Sequence, residues 1–381
     1  MKKKRILVLG AGLIGKPIAL DLIKDNTFSV DIADISTSAL NSFHETGIVT
    51  HLADLKDKSK LISLIDNFDY FINAVPGFMG YEVLRTLIEA GKPIVDIAFY
   101  PEDPLTLNAL ALKHNVCVVC DMGVAPGMSH LLSGYAAAQL EKVEKVLIFV
   151  GGLPKKRSYP WEYKAVFSPS DVIEEYTRPA RLVENGQIVF KEALSEQEFL
   201  EFDDIGTLEA FNSDGLRSLI YTMKADYMAE KTLRYPGHVD KINVLKSSGF
   251  FDEKFIDVDG TKISPLAFTK KILFPKWKLG EGEEDFTVMR ILVEGLNSEG
   301  KRKLHTFDLY DCYDASTETH SMARTTGYAA TSALRLIESG LFNIPGIHVP
   351  EMIGKNEKAV HFMLDSQLER GIQYKMSVKD I

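Results

Sequence analysis

The feature that most constrains this chain stands at its start. A short apolar run, Arg5–Leu9, stops at Gly10-Ala11-Gly12-Leu13-Ile14-Gly15, and a helical stretch follows from Pro17 to Lys24. A continuous apolar run of this length reads as a strand buried on both faces. Pro17 falls in a first helical turn, where a missing N–H costs nothing. Gly10 permits the turn, Gly12 lets a backbone approach a pyrophosphate, and Gly15 lets the helix pack closely on the strand. The helix start offers free N–H groups and partial positive charge to phosphate. A second strand, Phe28–Ala33, ends at Asp34, 19 positions after Gly15. That carboxylate suits the two ribose hydroxyls of an adenosine and repels a 2′-phosphate, and no Lys or Arg follows before Lys56. The pattern predicts a dinucleotide site for NAD, with NADP disfavoured although Ser36, Thr37 and Ser38 offer hydroxyls. Gly10, Gly12, Leu13, Ile14, Gly15 and Asp34 are its predicted contacts.

The alternation continues. Strands are predicted at Ile48–His51, Tyr70–Ala74, Pro93–Ile97 and Val116–Cys120, with helices at Leu55–Asp66, Tyr81–Ala90 and Leu105–His114. Six strands separated by helices give an α/β fold with a doubly wound, parallel Rossmann sheet. Ala74, Val75 and Pro76 end the fourth strand, where such a sheet presents its ligand, and join the predicted cofactor set. Asp54, after the third strand, joins it too, although it fits a solvated helix cap equally well.

Beyond Ala125-Pro126-Gly127 a helix reaches about Leu140, and the pattern then changes. Strands without alternating helices are predicted at Val146–Val150, Lys164–Phe167, Gln187–Phe190, Lys231–Tyr235, Asp285–Glu294 and Lys303–Asp311, with a hairpin turn at Asn185-Gly186. This reads as an inserted α/β domain with a mostly antiparallel sheet, interrupted by one helix at Val239–Lys246. The acidic segment Lys191–Asp204 reads as a surface loop. Helical periodicity returns from Glu318 to Gly340 and again over Asn356–Gly371. The expected domains are 1–125 for the dinucleotide, 126–315 for substrate and dimerisation, and 316–381 for helices returning to the Rossmann domain, with the active site in the cleft between domains.

Composition narrows the function classes. The chain has 381 residues, 45% hydrophobic and 25% charged, which excludes a disordered chain. A net charge of −9 makes nucleic acid and anionic membranes poor partners. No apolar run approaches the roughly 18 residues of a membrane span. The basic start leads into too few apolar residues for a signal peptide. Three cysteines make no disulfide framework, and a cytoplasmic location is expected. Cys117 and Cys120 fall three apart on one predicted strand and face opposite sides, so no metal site is expected.

Several motifs in collinear order resemble the saccharopine dehydrogenase family, and within it most the lysine 6-dehydrogenase type. They are VLGAGLIG (8–15), DMGVAPGMSHLLSGYA (121–136), VGGLP (150–154), YKAVFSPSDVIEEYTRPA (163–180), TLEAFNSDG (207–215), TLRYPGH (232–238) and MARTTGYAA (322–330). Pro350-Glu351 and Arg370-Gly371-Ile372 resemble the family's ending. The resemblance implies an NAD(P)-dependent oxidoreductase acting on the C–N bond of an amino acid, and a homodimer joined through the bare face of the inserted sheet. The saccharopine branch carries acidic residues where this chain has Ala125 and Ser129, which favours a smaller amine such as lysine. The alternatives are reductive joining of an amine and an aldehyde, as in saccharopine or carboxynorspermidine dehydrogenase, and an inactive NAD-binding sensor.

An amine dehydrogenase must deprotonate the amine, take up a proton during imine hydrolysis and clamp the distant end of its substrate. Asp96 and Asp121, near strand ends, are candidates for the acid–base work, although either also suits a helix cap. Arg234 is a candidate carboxylate clamp, and His238 a candidate proton shuttle or a packed ring. Arg324 and Tyr163 are further substrate candidates, and His130 reads as structural.

Overall fold

The computed structural model describes residues 2–166, 169–280 and 282–381. In chain order the elements begin with β1 (Lys4–Leu9), α1 (Gly15–Leu22), β2 (Phe28–Asp34), α2 (Thr37–Asn41), β3 (Val49–Leu52), α3 (Lys58–Ile65), β4 (Tyr70–Asn73), α4 (Gly77–Glu89), β5 (Ile94–Asp96), α5 (Asn108–Lys113), β6 (Cys117–Val119) and α6 (Met128–Ala137). They continue with β7 (Lys142–Pro154), α7 (Pro169–Thr177), β8 (Ala180–Glu184), β9 (Gln187–Lys191), β10 (Glu198–Phe202), β11 (Gly206–Asn212), α8 (Leu219–Thr222), β12 (Tyr227–Arg234), α9 (His238–Ser247), β13 (Ile256–Val258), β14 (Thr261–Ile263) and α10 (Pro265–Trp277). The last are β15 (Asp285–Leu296), β16 (Arg302–Cys312), α11 (Ser321–Glu338), β17 (Gly346–His348), α12 (Pro350–Ile353), α13 (Glu357–Leu368) and β18 (Tyr374–Asp380). The chain divides into two compact units, Met1–Gln139 with Ala323–Gln373, and Leu140–Met322 with Tyr374–Ile381.

The first unit holds a seven-stranded sheet in the order β17-β6-β5-β4-β1-β2-β3, every pair parallel. This is the strand order of a doubly wound sheet, the fold predicted from the alternation, with one strand added. Ile6, Leu7, Val8 and Leu9 of β1 are all at 0% exposure, as a central strand buried on both faces requires. α3 begins at Lys58 rather than Leu55 because Asp57 caps it, accepting from the N–H groups of Ser59 and Lys60. The added strand β17 comes from the far end of the sequence and pairs with β6. A buried ion network ties the same ends together. Asp21 of α1 is 3% exposed and accepts from Arg335 Nη1 at 2.8 Å, Arg370 Nε at 2.8 Å and Thr331 Oγ1 at 2.6 Å.

The second unit holds a nine-stranded sheet. Its main path is β10-β11-β12-β7-β15-β16-β18, with β8 on β12 and β9 on β8. All pairs are antiparallel except β12 with β7. Phe149, Leu208, Leu233, Phe286 and Val288 form one core, and Tyr163, Tyr176, Phe211, Val239 and Trp277 form another with α7, α9 and α10. Two expectations are corrected here. The segment Lys191–Asp204 is not all loop, because Glu198–Phe202 forms β10, whose Leu200 and Phe202 turn inward on the same face as Glu198 while Phe199 and Glu201 face outward. The expected strand Lys164–Phe167 is absent where described: Ala165 forms a single bridge to Lys278, and Phe167 lies outside the described residues.

Candidate active site

The glycine loop joins β1 to α1. Gly10 has φ +103°, and a Cβ there would meet Ala74 O at 2.5 Å, so only glycine fits. A Cβ on Gly15 would collide with the Gly10 carbonyl. Gly12 differs: nothing in the protein lies within 4 Å of its would-be Cβ. The fold therefore does not need a glycine at 12, whereas a ligand crossing the loop does. The N–H groups of Leu13 and Ile14 meet no acceptor among the described residues, and α1 has no side-chain cap. These residues fit a dinucleotide phosphate site. Gly12→Ala should leave thermal stability unchanged while weakening pyridine-nucleotide affinity by about tenfold or more. Calorimetric titration beside a melting curve checks this, and a parallel loss of both would count against the assignment.

Asp34 closes the same loop. Its Oδ2 accepts from Ala11 N–H and its Oδ1 from Ser36 N–H, both at 2.7 Å. The carboxylate is thus fixed and keeps lone pairs for a ribose. The Ser36 hydroxyl is occupied with Ala39 N–H and Ser38 Oγ. Asp54 accepts from Lys56 N–H at 3.1 Å in a local turn. Ala74 abuts Gly10, Val75 is 4% exposed, and Pro76 precedes the first turn of α4. All the predicted cofactor residues lie at or beside the carboxyl ends of β1 to β4.

The next two strand ends carry the carboxylates. Asp96 ends β5 at 1% exposure. Its Oδ1 accepts from Ala98 N–H at 2.7 Å, and its Oδ2 accepts from Asn73 Nδ2 at 3.1 Å and from the Tyr100 hydroxyl at 3.5 Å. Burial, aided by the Asp121 charge, pushes its pKa up to about 8. Asp121 follows β6, is 4% exposed and has φ +53°, a left-handed conformation that Asp tolerates better than most residues. Met122 N–H donates to Asp96 O and links the two strand ends. Asn73 was not among the candidates. It is fully buried, and its Nδ2 donates to Gly80 O and Asp96 Oδ2. Both neighbours are acceptors, which fixes the amide orientation and leaves Asn73 Oδ1 without a donor among the described residues. Its only sequence signal is a polar residue at the end of an apolar strand. His130 is fully buried, with Nδ1 on Ser129 Oγ at 2.9 Å. Arg324 is 7% exposed and donates to the Arg370 carbonyl, fastening the turn after α13.

The remaining candidates lie in the second unit, in one buried polar chain. His238 Nδ1–H donates to Trp161 O at 3.1 Å, and its Nε2 accepts from the Tyr176 hydroxyl at 3.0 Å. Arg234 Nε–H donates to the Tyr176 oxygen at 3.2 Å, Nη1 to Leu233 O, and Nη2 to Glu175 Oε2 at 2.9 Å. Burial first, then the Arg234 charge, lowers the His238 pKa to about 3. With both nitrogens engaged and no charge to gain near neutrality, this ring is placed as an anchor rather than a shuttle. Arg234 is 2% exposed and stacks 4.5 Å above the Tyr163 ring. The Tyr163 hydroxyl lies near Arg234 and Tyr176 but makes no hydrogen bond of good geometry. Tyr176 and Glu175, missed as individual residues, sit inside the quoted 163–180 motif. Their roles depend on partners that are distant in sequence.

Two family models match in tandem, the saccharopine dehydrogenase NADP binding domain over residues 6–119 and the saccharopine dehydrogenase C-terminal domain over residues 123–372. The chain belongs to the saccharopine dehydrogenase family. It is an oxidoreductase of that family, and its amino-terminal region is the NAD(P)-binding one. Among its relatives, "Saccharopine dehydrogenase [NADP(+), L-glutamate-forming]" of Schizosaccharomyces pombe is 24% identical over 457 aligned positions, covering 98% of this chain and 99% of that one. The mitochondrial alpha-aminoadipic semialdehyde synthase of Mus musculus is 23% identical, over 70% of this chain but only 30% of its own length. In structure the chain is similar to apo saccharopine dehydrogenase (L-Glu forming) of Saccharomyces cerevisiae, with a TM-score of 0.82, 18% identity, and coverage of 99% and 100%. The family model and the Schizosaccharomyces pombe relative favour NADP, against the preference for NAD drawn from Asp34.

Proposed function

We propose that this chain oxidises a carbon–nitrogen bond of an amino-acid substrate with NAD, releasing an imine that water hydrolyses. The single observation that carries the reading is the carboxylate pair Asp96 and Asp121. It lies at consecutive strand ends of the dinucleotide sheet, with Asp96 poised near pH 8 to hold or release a proton. A bound nicotinamide supplies the hydride acceptor. The chain must do the rest: deprotonate the amine, orient it and pass a proton to or from the hydrolytic water. Asp121 is the proposed base and Asp96 the proton-holding neighbour that keeps the pair from carrying two charges. Asn73 orients Asp96 through its amide. His238, Arg234 and Tyr163, being buried, shape the second unit's core. Arg324 holds the turn after α13.

For the nucleotide, the relatives' names point to NADP, but names at this identity do not transfer residue by residue. The carboxylate of Asp34, locked by two backbone N–H groups, argues for NAD. Asp34→Ser should raise the NADP-to-NAD ratio of kcat/KM by roughly tenfold or more. A wild-type protein that already prefers NADP would overturn the choice.

Lysine is the first substrate to test, because positions 125 and 129 are uncharged and Ser129 is fully buried against His130. Saccharopine-type conjugates are the second reading, favoured by the full-length match to the Schizosaccharomyces pombe enzyme. Absorbance at 340 nm with L-lysine, L-ornithine and saccharopine, each with NAD and NADP, separates the readings. Reduced nucleotide from lysine alone supports the first. Turnover of saccharopine with silence on lysine establishes the second, and silence on every amine leaves a nucleotide-binding sensor.

A further inference from the structure

We infer that the second unit carries a separate site for a zwitterionic amino acid, in an open cavity of about 390 Å³ between the β9–β10 connection and the last turn of α9. The volume lies within the range of small-molecule sites. Its floor is apolar, with Ala193 at 4% exposure and Leu194 at 2%. Its rim carries three polar side chains of complementary character: the Glu192 carboxylate, the Asn243 amide and the Lys246 ammonium. None of the three forms a side-chain hydrogen bond or ion pair with a described residue. Nearby charges, by contrast, are satisfied: Lys191 pairs with Glu184 and Glu196, and Lys231 with Glu198.

The wall is built rather than incidental. Leu194, which lines the cavity, has φ +69°, and Glu196 just beyond the wall has φ +50°, conformations that L-residues rarely adopt. They are held by buried partners. Leu194 N–H donates to Asn212 O, Asn212 Nδ2 donates to Ser195 Oγ and Glu196 Oε2, and Lys231 Nζ donates to Glu196 O. Asn212 is fully buried, and its Oδ1 has no donor among the described residues. Backbone strain imposed by its surroundings is characteristic of ligand clamps.

The chemistry selects the ligand. A bare anion would face Glu192, and a bare cation would face Lys246. A molecule with both charges on one carbon satisfies the rim. Its ammonium goes to Glu192 and the partly negative carboxyl end of α9, its carboxylate to Lys246 and Asn243 Nδ2, and an apolar side chain to Leu194. The site is independent of the dehydrogenase reading. The same helix begins at His238, so α9 joins this cavity to the hydrogen-bonded chain ending at Arg234.

Isothermal titration of the full chain with L-leucine, 4-methylpentanoate and 3-methylbutylamine tests the proposal. Leucine should bind, and each analogue lacking one charge should bind about tenfold or more weakly. Glu192→Gln and Lys246→Met should each weaken leucine by a similar factor while leaving the melting temperature and NADH affinity unchanged. Absence of leucine binding at millimolar concentration would overturn the site. So would leucine binding that neither substitution alters, because the leucine then sits elsewhere.

Discussion

Replacing Asp21 with alanine should destabilise the first unit by about 3–5 kcal/mol, among the largest single-residue effects available in the chain. The carboxylate accepts from Arg335 and Arg370 together and from Thr331, all from the carboxyl-terminal segment. Removing it leaves two partly buried guanidinium groups without the counterion they share. Arg335 keeps Asp25, but Arg370 keeps mainly the Ser366 carbonyl and the exposed Glu369. Chemical denaturation measures the loss. The triple replacement Asp21→Leu, Arg335→Met, Arg370→Met should recover most of it, since a desolvated ion network is often no better than an apolar one of similar volume. A loss under about 1 kcal/mol for Asp21→Ala would show the network to be solvated in solution. Burial opposes the ionised form of Asp21, but the two arginines and Thr331 outweigh it and lower its pKa. This part of the stability is therefore present above pH ~4 and fades as the pH falls below that.

At the alkaline side the sign reverses. Asp96 and Glu230 are fully buried, and both are pushed up to about 8, chiefly by desolvation. Glu230 accepts from Ser213 Oγ at 2.7 Å and also feels the charges of Glu175 and Asp214. A group whose folded pKa is raised gives its full stability below the unfolded pKa, near 4, and loses it as the pH rises through 8. Each shift is worth at most on the order of 5 kcal/mol. The wild type should therefore lose several degrees of melting temperature between pH 5 and 9. Asp96→Asn and Glu230→Gln should each flatten that fall, because a neutral amide has nothing to ionise. Melting curves of the three proteins that stay parallel across this range would refute the assignment. Together with Asp21, these groups make the stability profile a peak on the acid side of neutrality.

Much of the first unit was legible because its signals are local. β1 announces itself as an uninterrupted apolar run, Gly10 and Gly15 leave no room for a side chain, and Asp34 falls at the strand end that closes the loop. What stayed hidden depends on long-range neighbours. β17 is three residues long and is recognisable only beside β6. β10 is masked by Glu198, which shares the inward face with Leu200 and Phe202 because Lys231 pairs with it, and α10 by Pro275, which a local reading treats as a breaker. The site follows the same division. The glycines and strand-end carboxylates could be found by spacing, because their positions follow from the doubly wound topology. The protonation of Asp96, the anchoring of His238 and the polar roles of Asn73 and Tyr176 follow from burial and partners brought in from elsewhere. A histidine in RYPGH looks like a shuttle until Tyr176 and the Trp161 carbonyl occupy both of its nitrogens.

The edge strand β17 and the arginines that neutralise Asp21 have a consequence for synthesis on the ribosome. The first 139 residues emerge with six of the seven sheet strands, but their counterions and their last strand lie some two hundred residues downstream. At ordinary elongation rates that gap lasts on the order of ten to fifty seconds. During it the nascent nucleotide fold has a bare edge at β6 and an unneutralised carboxylate where its core should close. The unit is completed from the chain's end, so a truncated message or a premature stop yields an open sheet rather than a free-standing nucleotide-binding domain.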